Sequence, residues 1–227
     1  MGLIARTVFI ICLPILLFTV SIGVAFNSTW LYRDGFEKYD ISTVTGISLQ
    51  ELGTVARAIV NYWNSGEEYI SVTVEKNDQS FILFNEREII HLKDVKALVR
   101  LDYLAILVTG LYVVAYAILA FWYHRPTYRR DLAVAVFWGS ILSLGIIGTV
   151  GVVALADFDG FWTQFHLFSF DNDLWLLDPS CDYLIMMFPE GFWFDSILIV
   201  AGLMIIMALL IGVSSWFFMK KVNFCDN

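Results

Sequence analysis

The sequence predicts an integral membrane protein that is mainly α-helical, with four transmembrane helices and a small α+β subdomain outside the membrane. Of its 227 residues, 59% are hydrophobic and 16% are charged, whereas soluble domains carry about 25% charged residues. The mean hydropathy is +0.71. Four uncharged runs are each long enough to cross the hydrocarbon core as a helix, for which about 18 residues suffice. These runs are residues 7–26, 103–123, 132–156 and 196–219.

The runs divide the chain into alternating membrane and water-facing parts. The predicted parts are a first transmembrane helix in residues 1–26, an extracytoplasmic subdomain in 27–98, a second transmembrane helix in 99–124, a basic cytoplasmic loop in 125–131, a third transmembrane helix in 132–156, an interfacial outer loop in 157–195, and a fourth transmembrane helix with a cytoplasmic tail in 196–227.

A cleaved signal peptide is the alternative for the first run. Arg6 precedes this run, and Gly23-Val24-Ala25 resembles a cleavage site. Signal peptides, however, have an apolar core of about 7–15 residues, and this run is longer. A retained span is therefore favoured.

Positive charges predict the orientation, because short loops rich in lysine and arginine stay in the cytoplasm. Basic residues precede the first run, fill the loop between the second and third, and follow the fourth. They are Arg6, Arg125, Arg129, Arg130, Lys220 and Lys221. Both termini are therefore predicted to be cytoplasmic. The outer segments hold 19 of the 22 acidic residues, 11 in 27–98 and eight in 157–195, which argues against nucleic acid as a partner.

The first outer segment begins with a helix signal. Ser48 and Glu51 fit a capping box, in which the two residues satisfy free amides at a helix start. Apolar residues then recur at helical spacing as far as Trp63, and the turn-forming residues 64–66 end the helix.

Strand signals follow this helix. Residues 69–75 and 80–84 alternate in polarity and predict a β-hairpin. Asn85 is predicted to cap a further helix through residues 86–98, which would continue into the second span.

Two of the three histidines lie in the outer segments. Asp94 is three residues after His91, so on a helix the two share one face, and the carboxylate would hold the imidazole in one tautomer. His166 begins a stretch in which acidic, aromatic and aliphatic residues alternate without any lysine or arginine. Ionisable groups this close to a bilayer indicate function. His124, at the cytoplasmic end of the second run, is interpreted as structural.

Three chemistries compete for these residues. A nucleophilic enzyme would use Ser169 or Cys181, but no GxSxG elbow is present. A zinc hydrolase would need three ligands, yet the sequence has no HExxH spacing. Acid–base catalysis by one or two histidines, on a substrate that brings its own nucleophile, needs the fewest residues. No cofactor and no metal are predicted.

The two histidine segments carry a family resemblance. FHLFSFDNDLWLLDPSCDYLIMMFPEGFW at residues 165–193 and REIIHLKDVK at 87–96 closely resemble the bacterial lipoprotein intramolecular transacylase (Lit) family. The four-span layout and the outer subdomain after the first span match it as well, so the resemblance covers nearly the whole chain, although residues 27–65 carry no matching motif.

The resemblance implies a reaction, a location and partners. Enzymes of this kind move the sn-2 O-acyl chain of a diacylglyceryl-cysteine lipoprotein to its N-terminal α-amine, giving a lyso-form lipoprotein. The implied location is the bacterial plasma membrane, with the site on the extracytoplasmic side. Expected partners are the lipoprotein substrate and membrane lipid, and a monomer is expected.

The resemblance supports both outer histidines as functional, and our hypothesis divides the roles. His166 is the expected base, with His91 as acid or oxyanion donor. Supporting or orienting residues are expected to be Asp94, Asn172, Asp173 and Asp182. Aromatic residues expected at the membrane interface are Trp162, Trp175, Phe188 and Trp193. The alternatives are a non-catalytic accessory or sensor protein and a phospholipid-dependent acyltransferase.

Overall fold

The computed structural model describes residues 2–123 and 126–225, and it is mainly helical with one small two-stranded sheet. Four helices are long and apolar enough to cross a membrane, as the sequence predicted. They are α1 (Leu3–Phe26), α5 (Glu86–Trp122), α6 (Pro126–Ala156) and α9 (Glu190–Cys225). His124, the last residue of the predicted second transmembrane helix, and Arg125, the first of the predicted cytoplasmic loop, lie outside the described residues.

The shorter elements lie between these long helices. They are α2 (Thr29–Lys38), α3 (Ile41–Thr45), α4 (Leu49–Asn64), β1 (Thr73–Lys76), β2 (Gln79–Ile82), α7 (Phe158–Ser169) and α8 (Tyr183–Met187). The chain divides into two compact units. We call Met1–Ile22, Asp102–Ala156 and Ile199–Asn227 the bundle unit, and Gly23–Leu101 with Asp157–Leu198 the polar unit.

The bundle unit has an apolar core to which all four long helices contribute. Its buried members are Phe9, Leu13, Leu17, Tyr116, Ala135, Ile147, Met204 and Ala208. At Gly139 of α6, an added Cβ would lie 2.8 Å from the side chain of Leu13. Because glycine removes that clash, α1 and α6 approach each other closely at this point.

The polar unit packs α2, α3, α4, the hairpin and α8 around a second core. Almost fully buried side chains in it include Phe36, Ile41, Ile47, Leu52, Val55, Ile59, Val74 and Met187. The predicted helix after Ser48 is α4, and the Ser48 hydroxyl accepts from the Glu51 amide at 3.2 Å. This cap fixes where α4 begins.

The predicted hairpin is also present, but with shorter strands. β1 pairs antiparallel with β2, with Val74 opposite Phe81. Asn77 and Asp78 form the turn with φ of 53° and 61°. Two successive positive φ angles are typical of the type I′ turn, whose twist suits a two-residue hairpin.

The helix predicted after Asn85 is α5, and it runs without a break as far as Trp122. Its first part, residues 86–101, belongs to the polar unit and precedes the apolar run that begins at 103. This part carries His91, while α7 carries His166, so both outer histidines lie in the polar unit.

Candidate active site

The two histidines from distant parts of the sequence meet inside the polar unit. The rings of His91 and His166 stack with their centroids 6.2 Å apart and an interplanar angle of 27°. Both side chains are buried, at 7% and 8% exposure. At this separation, one small reacting group can touch both imidazoles at once.

Aromatic side chains surround the pair. Trp175 stacks on the ring of His166 at 4.7 Å, and Trp162 meets the same ring edge-on at 4.9 Å. Phe170 lies 5.1 Å from the ring of His91. These rings exclude water from the imidazoles, which strengthens any electrostatic interaction made there.

The hydrogen bonding of His166 fixes its tautomer. Its Nδ1 lies 2.8 Å from the carbonyl oxygen of Trp162, one turn earlier on α7. Because a carbonyl oxygen only accepts, Nδ1 must carry the proton. The Nε2 atom of the neutral ring therefore has a free lone pair and can act as a base.

His91 differs from His166 in its hydrogen bonding. Its Nδ1 is buried and has no hydrogen-bond partner within the described part of the chain. Buried polar atoms in folded proteins are nearly always paired, and those that are not call for a functional or structural explanation. A group that enters the site is a suitable partner for this nitrogen.

Both histidines favour their neutral forms. Burial, reinforced by the nearby His166 and opposed by Asp94, lowers the pKa of His91 to about 4. Burial also lowers the pKa of His166, although its bond to the Trp162 carbonyl opposes the shift. At neutral pH the site therefore presents two uncharged imidazoles.

Asp94 has a different partner from the one that the sequence predicted. Its Oδ2 accepts from Nδ2 of Asn172 at 2.9 Å, and Nδ1 of His91 donates no hydrogen bond to it. Asp94 therefore acts on His91 through its charge and holds the segment after α7. The Oδ1 atom of Asn172 accepts from the Leu174 amide at 3.0 Å, which fixes the orientation of this side chain.

Asp173 and Asp182, both predicted to orient substrate, occupy different environments. Asp182 is buried, and its two oxygens accept from Asn85 Nδ2 at 2.8 Å and from the Asp178 amide at 2.7 Å. Asp173 is exposed, and its backbone oxygen accepts from Arg87. Asp182 therefore stabilises the fold of the segment, and only the Asp173 side chain is open to solvent.

The four aromatic residues predicted at the membrane interface also occupy different environments. Phe188 is buried against Tyr32 and Phe36, so its predicted interfacial role is corrected to a place in the core. Trp175 covers His166. Trp162 stacks on Trp193 at 4.8 Å, and the interfacial placement of this pair stays a prediction.

Sequence reasoning missed three residues that shape the site, namely Glu88, Phe170 and Arg87. The signal for Glu88 was present, because Asn85 and Glu88 have capping-box spacing. The contacts of Phe170 and Arg87 join distant parts of the sequence and leave no local pattern. In the described ranges, no three His, Cys, Asp or Glu side chains are arranged to hold a metal ion.

Comparisons with known proteins extend this picture. The model of the family "lipoprotein intramolecular transacylase Lit" matches residues 7–193. An uncharacterized protein of Aquifex aeolicus (strain VF5) is 24% identical over 210 residues, which cover 90% of this chain and 89% of that protein.

Solved structures of the membrane-integral lipoprotein intramolecular transacylase Lit of Bacillus cereus have the same fold. One superposes with a TM-score of 0.76 at 16% identity and covers 97% of both chains. A histidine-to-arginine variant gives 0.77 at 17% identity, covering 98% of this chain and 93% of that one. A histidine-to-alanine variant gives 0.77 at 17% identity, covering 97% and 94%.

Proposed function

This chain belongs to the lipoprotein intramolecular transacylase (Lit) family, and on that premise we propose that it moves an acyl chain within one lipoprotein molecule. The substrate is a lipoprotein whose N-terminal cysteine carries a diacylglyceryl group. The sn-2 acyl chain passes from its glyceryl oxygen to the α-amine of that cysteine. The product is a lyso-form lipoprotein with one N-linked and one O-linked chain.

The reaction takes place on the extracytoplasmic side of the plasma membrane. The basic residues that flank the four uncharged runs support this orientation, because they favour the cytoplasm. The polar unit, with both histidines, then faces the compartment in which lipoproteins are displayed. The protein works as a monomer, and bilayer lipid surrounds its four long helices.

His166 is the proposed base. An α-amine has a pKa of about 7.7–8.0 and must lose a proton before it attacks an ester. The lone pair on His166 Nε2 can take that proton, since the Trp162 carbonyl holds the other nitrogen protonated. Burial lowers the pKa of His166, which favours the neutral ring and keeps this lone pair free at neutral pH.

His91 is the proposed donor to the oxyanion. Attack by the amine places negative charge on the ester carbonyl oxygen, and a preorganised N–H can stabilise that charge. Because the pKa of His91 is about 4, a neutral imidazole N–H is the form available at neutral pH. Asp94 acts on His91 only through its charge, since its Oδ2 accepts from Asn172.

The transfer balances without any other reactant. The amide C–N bond forms and the ester C–O bond breaks. The protonated α-amine loses two protons in all: the first, taken by His166 before attack, passes to water, and the second, lost as the amide forms, reaches the leaving sn-2 oxygen through His166. Amine and ester belong to one molecule, and oriented intramolecular reactions gain about 7–11 kcal/mol from proximity. The protein therefore needs a base and a donor, and no nucleophile of its own.

One observation carries this proposal. His91 and His166 stack at 6.2 Å in a buried aromatic cage, and His166 is held in the tautomer that leaves Nε2 free. Two histidines placed far apart could not act on one reacting group.

The test uses purified protein with a synthetic diacylglyceryl lipopeptide, and mass spectrometry follows the shift from O-acyl to N-acyl product. We expect His166→Asn to lower kcat by about 10²–10⁴-fold, the usual contribution of acid–base catalysis. His91→Asn should also be impaired. His124→Asn, which replaces the third histidine, is the matched control and should keep wild-type activity.

Three outcomes would contradict the proposal. Full activity in His166→Asn would remove the proposed base. Label from a radioactive phospholipid on the product would indicate a phospholipid-dependent acyltransferase. No conversion by the wild-type protein would favour an accessory role.

A further inference from the structure

Glu88 is a buried carboxylate that the proposed chemistry does not use. It is 1% exposed and lies one turn before His91 on α5. Its Oε2 accepts from the Asn85 amide at 2.7 Å, and its Oε1 accepts from the Leu184 amide at 2.6 Å. The first amide starts α5 and the second starts α8, so one carboxylate caps two helices.

The side chain that caps α8 comes from a different helix, which is unusual. Helix N-termini are normally capped by the side chain just before them, which for α8 is Asp182. Asp182 makes no such bond, because its oxygens accept from Asn85 Nδ2 and the Asp178 amide. Glu88 therefore supplies from another helix the cap that α8 does not receive from its own N-cap residue.

From this geometry we propose that Glu88 is a positioning residue, which fixes the segment between α7 and α8 against α5 and so holds Trp175 over His166. The inference rests on the proposed function, because it assigns a catalytic consequence to this contact. Within the described residues, the hydrogen bonds of the Glu88 carboxylate go to Asn85 and Leu184 and not to either histidine, so its proposed effect reaches them through residues 170–182.

Other contacts align the same segment along α5. Arg87 donates to the backbone oxygen of Asp173, and Asp94 accepts from Asn172 at 2.9 Å. Both of these contacts involve exposed residues of the segment, whereas Glu88 is buried. Exposed contacts exchange easily with water, so the stronger anchors are the two buried carboxylates, Glu88 and Asp182, and of these Glu88 is the one that lies on α5 beside His91.

The chemistry of this anchor requires a carboxylate. Two N–H donors point at the two oxygens of Glu88, and a carboxylate is acceptor-only. Glutamine would turn an NH₂ group toward one of these amides and leave that donor unpaired. Burial raises the pKa of Glu88, and the two backbone amides oppose that shift.

α4 offers a matched control for this residue. Glu51 occupies the same third position behind its own N-cap, Ser48. Within the described part of the chain, no hydrogen bond joins its side chain to another element. Glu88→Gln and Glu51→Gln therefore make the same chemical change at the same helix position, with and without the contact to a second helix.

The experiment measures hydrogen exchange and steady-state kinetics on the full-length protein in detergent, with the lipopeptide substrate. In Glu88→Gln we expect faster exchange of the Asp178 and Leu184 amides and a kcat that falls by about 10- to 100-fold, since small misplacements of catalytic groups cost about this much. KM should stay close to the wild-type value. Glu51→Gln should match wild type in both measurements.

Glu88→Asp is the second variant. It keeps the charge but is too short to reach both amides, and it decides the question if Glu88→Gln does not fold. Wild-type kcat in a folded Glu88 variant would overturn the positioning role, even if exchange is faster. An inactive wild-type protein would instead overturn the proposed function itself, so the two failures are distinguishable.

Discussion

Buried hydroxyls of the bundle unit and buried carboxylates of the polar unit find their hydrogen-bond partners in different ways. In the bundle unit, the hydroxyls of Thr19, Ser21 and Ser143 each donate to a carbonyl four residues earlier on the same helix, at 2.8 Å. Ser215 is an exception, because it donates to Ala133 on another helix. In the polar unit, Glu88 bonds an amide 96 residues away and Asp182 bonds a side chain 97 residues away.

This difference shows where function can be built. A hydroxyl that donates to a carbonyl of its own helix does not fix the position of that helix relative to its neighbours. A buried carboxylate paired across the fold ties distant segments into one geometry, which a reaction centre needs. The stacked histidines lie in the polar unit, where buried carboxylates join distant segments.

The largest expected effect contrasts Asp182→Ala with Ser143→Ala. Asp182→Ala leaves the Asn85 and Asp178 donors without their buried acceptor, and we expect it to lower the free energy of unfolding by about 3 kcal/mol, since hydrogen bonds to charged groups contribute about 1.5–3 kcal/mol each. Ser143→Ala should cost less than about 1 kcal/mol, because its own carbonyl partner keeps its helical bond. Thermal unfolding in detergent measures both.

Equal losses of unfolding free energy in these two variants would contradict the contrast between the bundle unit and the polar unit. They would mean that a bond within one helix contributes as much to stability as one that joins two segments across the polar unit.

The second prediction concerns acid and His91. The pKa of His91 is about 4 in the folded protein and 6.5 as a model value, so the unfolded state binds more protons between these values. The stability due to the neutral ring is present above pH 6.5 and is lost as the pH falls toward 4. Between pH 8 and pH 5 we expect a loss of about 2 kcal/mol from this group.

His91→Asn should remove that part of the pH dependence, as measured by unfolding at pH 8 and pH 5. Leu92→Ala is the matched control, because it weakens buried packing beside His91 and leaves the titration intact. An unchanged slope in His91→Asn would show that the acid response has another origin.

The sequence predicted the bundle unit better than the polar unit, for a physical reason. Uncharged runs of sufficient length report membrane helices directly, and the cap at Ser48 and the hairpin at residues 77–78 are local signals too. The sequence singled out His91 and His166 by their outer position and their acidic neighbours, and the family resemblance supported both. Their stacking at 6.2 Å came only from the fold. The partners of Asp94, Asp182 and Phe188 depend on segments distant in sequence, which no local pattern encodes.

The smallest expected effect is that of Asp94→Asn. This variant separates the charge of Asp94 from its hydrogen bond to Asn172. Asp94 raises the pKa of His91 through its charge and accepts from Asn172, but it makes no bond to Nδ1 of His91. Asparagine can still accept from Asn172 and removes only the charge. The pKa of His91 should fall further, which leaves the neutral donor form unchanged at neutral pH.

We therefore expect kcat of Asp94→Asn to stay within about tenfold of wild type, because partly exposed charges contribute only about 1 kcal/mol or less. The lipopeptide assay at pH 7 measures this, with Asp94→Ala as the comparison, since alanine also removes the bond to Asn172. If Asp94→Asn instead loses as much activity as His166→Asn, then His91 works as a charged imidazolium that needs a carboxylate beside it. In that case the role of neutral oxyanion donor would have to be abandoned.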